Sequence, residues 1–311
     1  MTGRHILTAA CCLSGLALAG AIPSTQQPPS FKSSVQLVTV PIAVTNTKRD
    51  QLITSGPTAD DFRVFEDGVS QQVTLFSQDR RPTSLCIVVD ASGSMASAQR
   101  LELGVSALQH VVRGLAKGDE IAIVRFASDV TVMLPWTREP DPARLSWQLE
   151  PGAGTVANSS ITDAAKVALG VIDTATNPRR ALLLISDGYE NTSQTSLARV
   201  VTTRAQSETL VYAFGLAGPL ERSPGGGMSL RNILPSLVGD SGGEFWSISS
   251  PAAAEAAAST LNLELNHQYT LAYTPAKPLD GKYRKIKVET TLPGLLVRHR
   301  GGYLALPSAQ P

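Results

Sequence analysis

The chain has 311 residues, 27 Lys+Arg against 26 Asp+Glu, and a formal net charge of +1. That balance creates no long-range field of either sign, so attraction to nucleic acid or to an anionic membrane surface is not expected. Hydrophobic residues make up 42% and charged residues 17%, which excludes whole-chain disorder, and the length allows two domains.

The first segment reads as an address. Arg4 is followed by an uncharged run from Ile6 to Ala21, and Ala17-Leu18-Ala19 offers a small-x-small cleavage pattern. Residues 1–21 are therefore expected to be a secretory signal peptide, too short and too poorly flanked to remain as a span. Residues 22–33, rich in Pro, Gln and Ser, read as a flexible leader. No other stretch reaches the roughly 18 apolar residues a membrane helix requires. The mature chain is thus expected to have no membrane span and to be secreted or periplasmic. Cys11 and Cys12 fall inside the signal. Cys86 alone can form neither an internal disulfide nor a zinc site.

Residues 34–80 carry short β runs. Val35 to Val40 leads into Pro41 to Thr45. Phe62-Arg63-Val64-Phe65 is followed by Glu66-Asp67-Gly68, and Asp-Gly is a hairpin signal; Val73 to Phe76 comes next. These runs are too few for a sandwich unaided.

Residues 82–266 alternate differently. Leu85-Cys86-Ile87-Val88-Val89 is a continuous apolar run, as in a strand covered on both faces. Leu101, Val105, Leu108, Val112 and Leu115 then mark one face of a helix. Strand patterns recur at Ile121–Phe126, Val130–Leu134, Ala181–Ile185, Thr209–Phe214 and Gly242–Ile248. Helical patterns fall at Ile161–Ala175, Ser196–Gln206 and Pro251–Asn266. The alternation predicts an α/β fold with a doubly wound, mostly parallel sheet and helices on both faces. Residues 267–306 return to β character. Neither β flank is self-sufficient, so the two are expected to pair into one small β module.

Two strands end in acidic loops. Leu85–Val89 runs into Asp90-Ala91-Ser92-Gly93-Ser94, and Ala181–Ile185 runs into Ser186-Asp187-Gly188. In open α/β sheets ligands bind beyond the carboxyl ends of strands, so both carboxylates arrive at one edge. Carboxylates and hydroxyls are hard oxygen ligands, and they suit Mg²⁺ or Mn²⁺. Hydroxyls donate little electron density, so such a cation keeps its appetite for an outside carboxylate. The bland alternatives are a helix cap at Ser92 or Ser94 and a simple turn at Asp187-Gly188. His110, His267 and His299 do not group. Gly225-Gly226-Gly227 lacks the lysine of a phosphate-binding loop and reads as a loop bordering the same face.

The Asp-x-Ser-x-Ser spacing, with a distant Ser-Asp-Gly after another apolar strand, resembles the von Willebrand factor type A (VWA) domain and its metal-ion-dependent adhesion site. Asp60 to Gly68 on one side, and Tyr283 to Val288 with Arg300-Gly301-Gly302-Tyr303 on the other, resemble a family of secreted bacterial proteins related to that domain. The resemblance implies metal ligation by Asp90, Ser92, Ser94 and Asp187, the serines directly and the aspartates often through water. It also implies a middle hydroxyl four residues before an Asp-Ala pair. Ser159 keeps that spacing to Asp163-Ala164, while Thr155 keeps the residue type and glycine context. The implied function is a secreted, cation-dependent binding or adhesion module for a protein or peptide presenting a carboxylate, and not an enzyme. A scaffold with a vestigial site, binding through its β module, is the alternative. A metal-assisted hydrolase is disfavoured because Gly-x-Ser-x-Gly, His-Glu-x-x-His and any histidine near the site motifs are missing from the sequence.

Overall fold

The computed structural model describes residues 37–145, 159–216 and 233–306. The predicted signal and leader, the candidate Thr155 and the Gly225–Gly227 loop lie outside the described residues. Five strands come first: β1 (Val38–Asn46), β2 (Gln51–Leu52), β3 (Phe62–Glu66), β4 (Val69–Gln71) and β5 (Val73–Ser77). The centre follows with β6 (Thr83–Asp90), α1 (Ala98–Arg113), β7 (Glu120–Phe126), β8 (Val130–Thr137), α2 (Ile161–Ile172) and β9 (Arg179–Ser186). It continues through α3 (Leu197–Ser207), β10 (Leu210–Leu216), α4 (Ile233–Val238), β11 (Phe245–Ile248) and α5 (Pro251–His267). The last strands are β12 (Tyr269–Tyr273), β13 (Tyr283–Thr290), β14 (Leu295–His299) and β15 (Gly302–Leu304).

The central sheet has six strands in the order β11-β10-β9-β6-β7-β8, parallel except for the β7–β8 pair. Every residue of β6 is buried, which explains its unbroken apolar run. Its side chains alternate between two cores. Leu85, Ile87 and Val89 pack with residues of α1 and α5, while Cys86 and Val88 pack with residues of α2. Cys86 is thus a core residue, and burial pushes its thiol far above the ordinary range. The strand order reverses between β6 and β9, so the sheet's natural binding crevice opens at the carboxyl ends of these two strands.

The phase of α1 differs from the sequence expectation. Leu103, Ala107, Leu108 and Val111 are fully buried, whereas Leu101, Val105 and Leu115 only flank the core. Gly104 and Ala107 lie in the buried stripe beside Leu103, Leu108 and Val111, a face that leucine spacing alone does not mark.

The two β flanks pair as expected, but as two sheets. One has the order β14-β1-β12-β5, with β2 on β1; the other runs β15-β13-β3-β4. The register joins the chain's two ends: Val40 faces Leu271, Val44 faces Val297, and Val64 faces Val288. The sheets share one core, including Val40, Ile42, Val64, Leu271, Tyr273, Ile286 and Val288. Along β13 burial alternates strictly, so Arg284, Ile286 and Val288 face inward while Lys285 and Lys287 face out. Burying such an aliphatic side chain is worth about 1.5–3 kcal/mol before entropy is counted, and neither flank alone supplies both walls. The β3–β4 hairpin turns at Asp67 (φ +48°) and Gly68 (φ +83°) between the paired Glu66 and Val69. Two consecutive left-handed residues match the right-handed twist of the strands.

Polar contacts clamp the sandwich to the central sheet. Arg298 of β14 donates to Glu264 Oε2 of α5 at 2.6 Å and to Glu244 Oε2 at 2.8 Å, and Tyr212 Oη of β10 donates to Glu264 Oε1 at 2.6 Å. No helix among the described residues is long and apolar enough to cross a membrane.

Candidate metal centre

Asp90 is the last residue of β6 and is fully buried. Its Oδ1 accepts the Ser92 backbone N–H at 2.9 Å, and its Oδ2 accepts the Ser186 hydroxyl at 2.6 Å. Ser186 closes β9, which runs parallel beside β6 with Val89 opposite Ile185. This pairing carries Asp187 to the Asp90 edge. Burial first, and then the Asp187 charge, push the Asp90 carboxyl up to about 7, despite the hydrogen bonds from Ser186 and Ser92. Two carboxylates held together in a dry crevice favour a cation between or beside them.

The serines are not spent on capping. Ser97, not Ser92 or Ser94, accepts the Arg100 N–H at the start of α1. Ser92 opens a short 3₁₀ turn with no side-chain cap bond, and the Ser92 and Ser94 hydroxyls lie 2.9 Å apart, that of Ser92 also facing the Asp90 carboxyl. The helix-cap alternative is therefore set aside. The turn alternative is met only in part: Asp187 Oδ1 accepts the Tyr189 N–H at 3.3 Å, while the buried Oδ2 has no hydrogen-bond partner.

Ser159 stands at the same edge, just before α2. Its neighbour Ser160 donates to the Ala127 carbonyl at 2.9 Å, and Phe126 pairs with Asp90 in the sheet. The Ser159 N–H donates to Asn191 Oδ1 at 2.8 Å, and its carbonyl accepts from the N–H groups of Asn191 and Thr192. The segment is thereby tied to the loop that follows Asp187. The Ser159 hydroxyl is buried and has no hydrogen-bond partner. Buried orphan oxygens are uncommon and ask for an ion or water. Two of them, on Ser159 and Asp187, belong to residues singled out from sequence, and all the donors are hard oxygens. The set fits a divalent cation of the Mg²⁺ type.

Asp163, which marks the α2 motif, has a different job. Its carboxylate accepts the N–H groups of Gln194 at 2.9 Å and Thr195 at 2.8 Å. Burial alone would raise this carboxyl; these hydrogen bonds outweigh it and hold the group below its ordinary value. Glu190 answers from the loop, accepting the Thr162 N–H at 3.0 Å and the Ser193 hydroxyl at 2.7 Å. The loop after β9 and the start of α2 are thus laced together.

Two participants escaped the sequence reading. Ser186, which the Ser-Asp-Gly motif gives no role of its own, bridges the two acidic strands. Arg100 donates from Nη1 to the Ser94 carbonyl at 2.7 Å and lies 3.6 Å from Asp187 Oδ2. Its position in the first turn of the helix that follows the serine loop was the available signal. Among the described residues no three His, Cys, Asp or Glu side chains gather as a metal cluster, so any cation here relies on hydroxyls.

Residues 85–190 match the family described as the von Willebrand factor type A domain. The Escherichia coli (strain K12) protein YfbK is 38% identical over 69 residues, covering 21% of this chain and 12% of that protein, so the chain spans a small part of that relative's length. Among solved structures, proximal thread matrix protein 1 from the mussel byssus aligns with a TM-score of 0.50 and 16% identity, over 65% of this chain and 51% of that one. BatB from Bacteroides thetaiotaomicron aligns with a TM-score of 0.47 and 20% identity, over 58% of this chain and 97% of that one.

Proposed function

Residues 85–190 of this chain match the von Willebrand factor type A domain, and from that premise we infer that the protein is a cation-dependent binding module rather than an enzyme. Domains of this family are in general interaction modules, often acting through a metal-ion-dependent adhesion site. Here Asp90, Ser92, Ser94, Ser159 and Asp187 would hold Mg²⁺ or Mn²⁺, the serines directly and the aspartates directly or through water. Thr155 remains the other candidate for the middle hydroxyl. When bound, the cation supplies an electrophilic position for an acidic side chain of a protein or peptide ligand. The chain's own residues set that position: Asp90 is fixed by Ser186, the serine loop is fixed by Arg100, and Ser159 is fixed by Asn191.

The observation that carries this reading is the pair of buried oxygens without a hydrogen-bond partner, Ser159 Oγ and Asp187 Oδ2, the latter with only the Arg100 guanidinium 3.6 Å away. No histidine takes part in this cluster, which leaves the hydrolase alternative without a base of the usual kind. The N-terminal features favour export, so the ligand would be met outside the cytoplasm.

Titration calorimetry of the intact protein with Mg²⁺ and with Mn²⁺ tests the reading. Saturable binding that Asp90→Ala abolishes is expected. If neither cation binds, the vestigial-scaffold alternative replaces it. Ser159→Ala and Thr155→Ala, made separately, distinguish the two hydroxyls: only one should weaken binding.

A further inference from the structure

The opposite end of β9 borders a polar cavity. The strand begins at Arg179 and ends at Ser186, so its start lies about 25 Å from the metal edge at the rise of an extended chain. A cavity of about 370 Å³ opens there between the central sheet and the β sandwich, lined among others by Arg81, Arg179, Arg180, Arg300, Asp173 and Glu208. The lining holds four arginines and two acidic residues, an excess of two positive charges.

Two of these arginines are buried. Arg179 is 6% exposed and Arg300 is 4% exposed. Arg179 Nη1 donates to the Leu265 carbonyl at 2.7 Å, and its Nη2 has no hydrogen-bond partner. Arg300 donates from Nη2 to the Thr39 carbonyl at 2.7 Å and pairs through Nη1 with Glu208 at 2.6 Å, while its Nε has no hydrogen-bond partner. Glu208 is itself half exposed, and Asp173 is exposed. Burial lowers the Arg179 pKa; Tyr212 opposes that shift, the neighbouring Arg81 and Arg80 charges reinforce it, and Asp119 opposes it least. A buried guanidinium without a carboxylate partner is costly, and an anion seated beside it relieves that cost.

We propose that this cavity binds a phosphoryl dianion carried on a small molecule, through Arg179, Arg180, Arg81 and Arg300. Planar guanidinium forks match tetrahedral oxyanions, and the charge excess of the lining equals the charge of a dianion. The cavity has room for a small organic body, and Glu208 and Asp173 can accept hydrogen bonds from hydroxyls on it. The site is separate from the metal edge and independent of whether that edge holds a cation.

Calorimetry of the intact protein with inorganic phosphate and with glycerol 3-phosphate, both in EDTA, tests this. Saturable binding of either probe is expected, with tighter binding of glycerol 3-phosphate if the organic body is held too. Arg179→Gln should weaken binding about tenfold or more, as expected for a hydrogen bond to a charged group. Because Arg179 also holds the Leu265 carbonyl, Arg180→Gln and Arg81→Gln serve as variants on less buried positions, and each should weaken binding without a change in melting temperature. No heat with either probe, or binding unchanged in Arg180→Gln and Arg81→Gln, overturns the proposal.

Discussion

The Ser186 hydroxyl of one strand donates to Asp90 Oδ2 of its neighbour at 2.6 Å, joining residues 96 apart in sequence. Ser186 also accepts the Gly188 N–H at 2.9 Å, so one hydroxyl fixes both the buried carboxylate and the turn that carries Asp187. Ser186→Ala leaves Asp90 Oδ2 without its donor. A loss of about 1–3 kcal/mol in unfolding free energy is expected, read by urea denaturation of the metal-free protein. An unchanged denaturation midpoint would show that water replaces the hydroxyl at no cost.

Arg100 places a positive charge 3.6 Å from Asp187 Oδ2 with its side chain only 10% exposed. It opposes a dication at the same edge. Arg100→Gln should tighten Mg²⁺ binding about tenfold, even at water-like screening, as measured by calorimetry at fixed ionic strength. Weaker binding in the variant would mean that its hold on the Ser94 carbonyl matters more than its charge.

Glu66 is the buried anion of the β sandwich. Its Oε2 accepts the hydroxyls of Tyr273 at 2.8 Å and Tyr303 at 2.9 Å, and Arg284 Nη1 lies 3.7 Å from its Oε1. Burial and the Glu66 contact both push the two phenols above their ordinary range. Glu66→Ala leaves the two tyrosine hydroxyls without their acceptor, while Arg284 keeps Asp280, and should cost about 3 kcal/mol. Differential scanning calorimetry would read this as a lowered melting temperature, and Glu66→Gln, which retains an acceptor, should lose less.

Glu120 gives the protein a share of its acid sensitivity. Burial would raise its carboxyl, but hydrogen bonds from the Ser84 hydroxyl at 2.6 Å and from Thr176, with the Arg138 charge nearby, hold it below its ordinary value of 4.5. A carboxyl depressed in the folded state contributes stability that is complete above its unfolded value and fades as pH falls through that value toward the folded one. Urea midpoints between about pH 6 and about pH 3 should fall more steeply for wild type than for Glu120→Gln. Parallel slopes would remove Glu120 from the account.

Gly243 is fixed by contact rather than by turn geometry. A Cβ there would lie 1.9 Å from the Val211 carbonyl oxygen, at the point where the chain enters β11. Gly243→Ala should destabilise by about 3 kcal/mol through forced displacement of backbone, with soluble yield and melting temperature as readouts. A melting temperature within a degree or so of wild type would show that β11 can move aside at no cost.

Elements whose signals are local can be read from the amino-acid order alone. Leu85–Val89 is apolar throughout because both faces of its strand are covered, and Asp67-Gly68 marks a turn because only residues tolerant of positive φ fit there. Asp90, Ser92, Ser94 and Asp187 were legible because each directly follows an apolar strand, and strand ends in such sheets meet at one edge. Tertiary structure alone decided how α1 rotates, since the small residues that permit close approach carry no hydrophobic mark. It decided too that the two β flanks form two sheets around one core, because the pairing of Val64 with Val288 joins residues 224 apart in sequence. The bridge from Ser186 to Asp90, the Arg100 charge beside Asp187, and the gathering of arginines at the far end of β9 were hidden for the same reason. A side chain's partners are set by three-dimensional neighbours, and hydrogen bonding and burial depend on those neighbours rather than on adjacent residues.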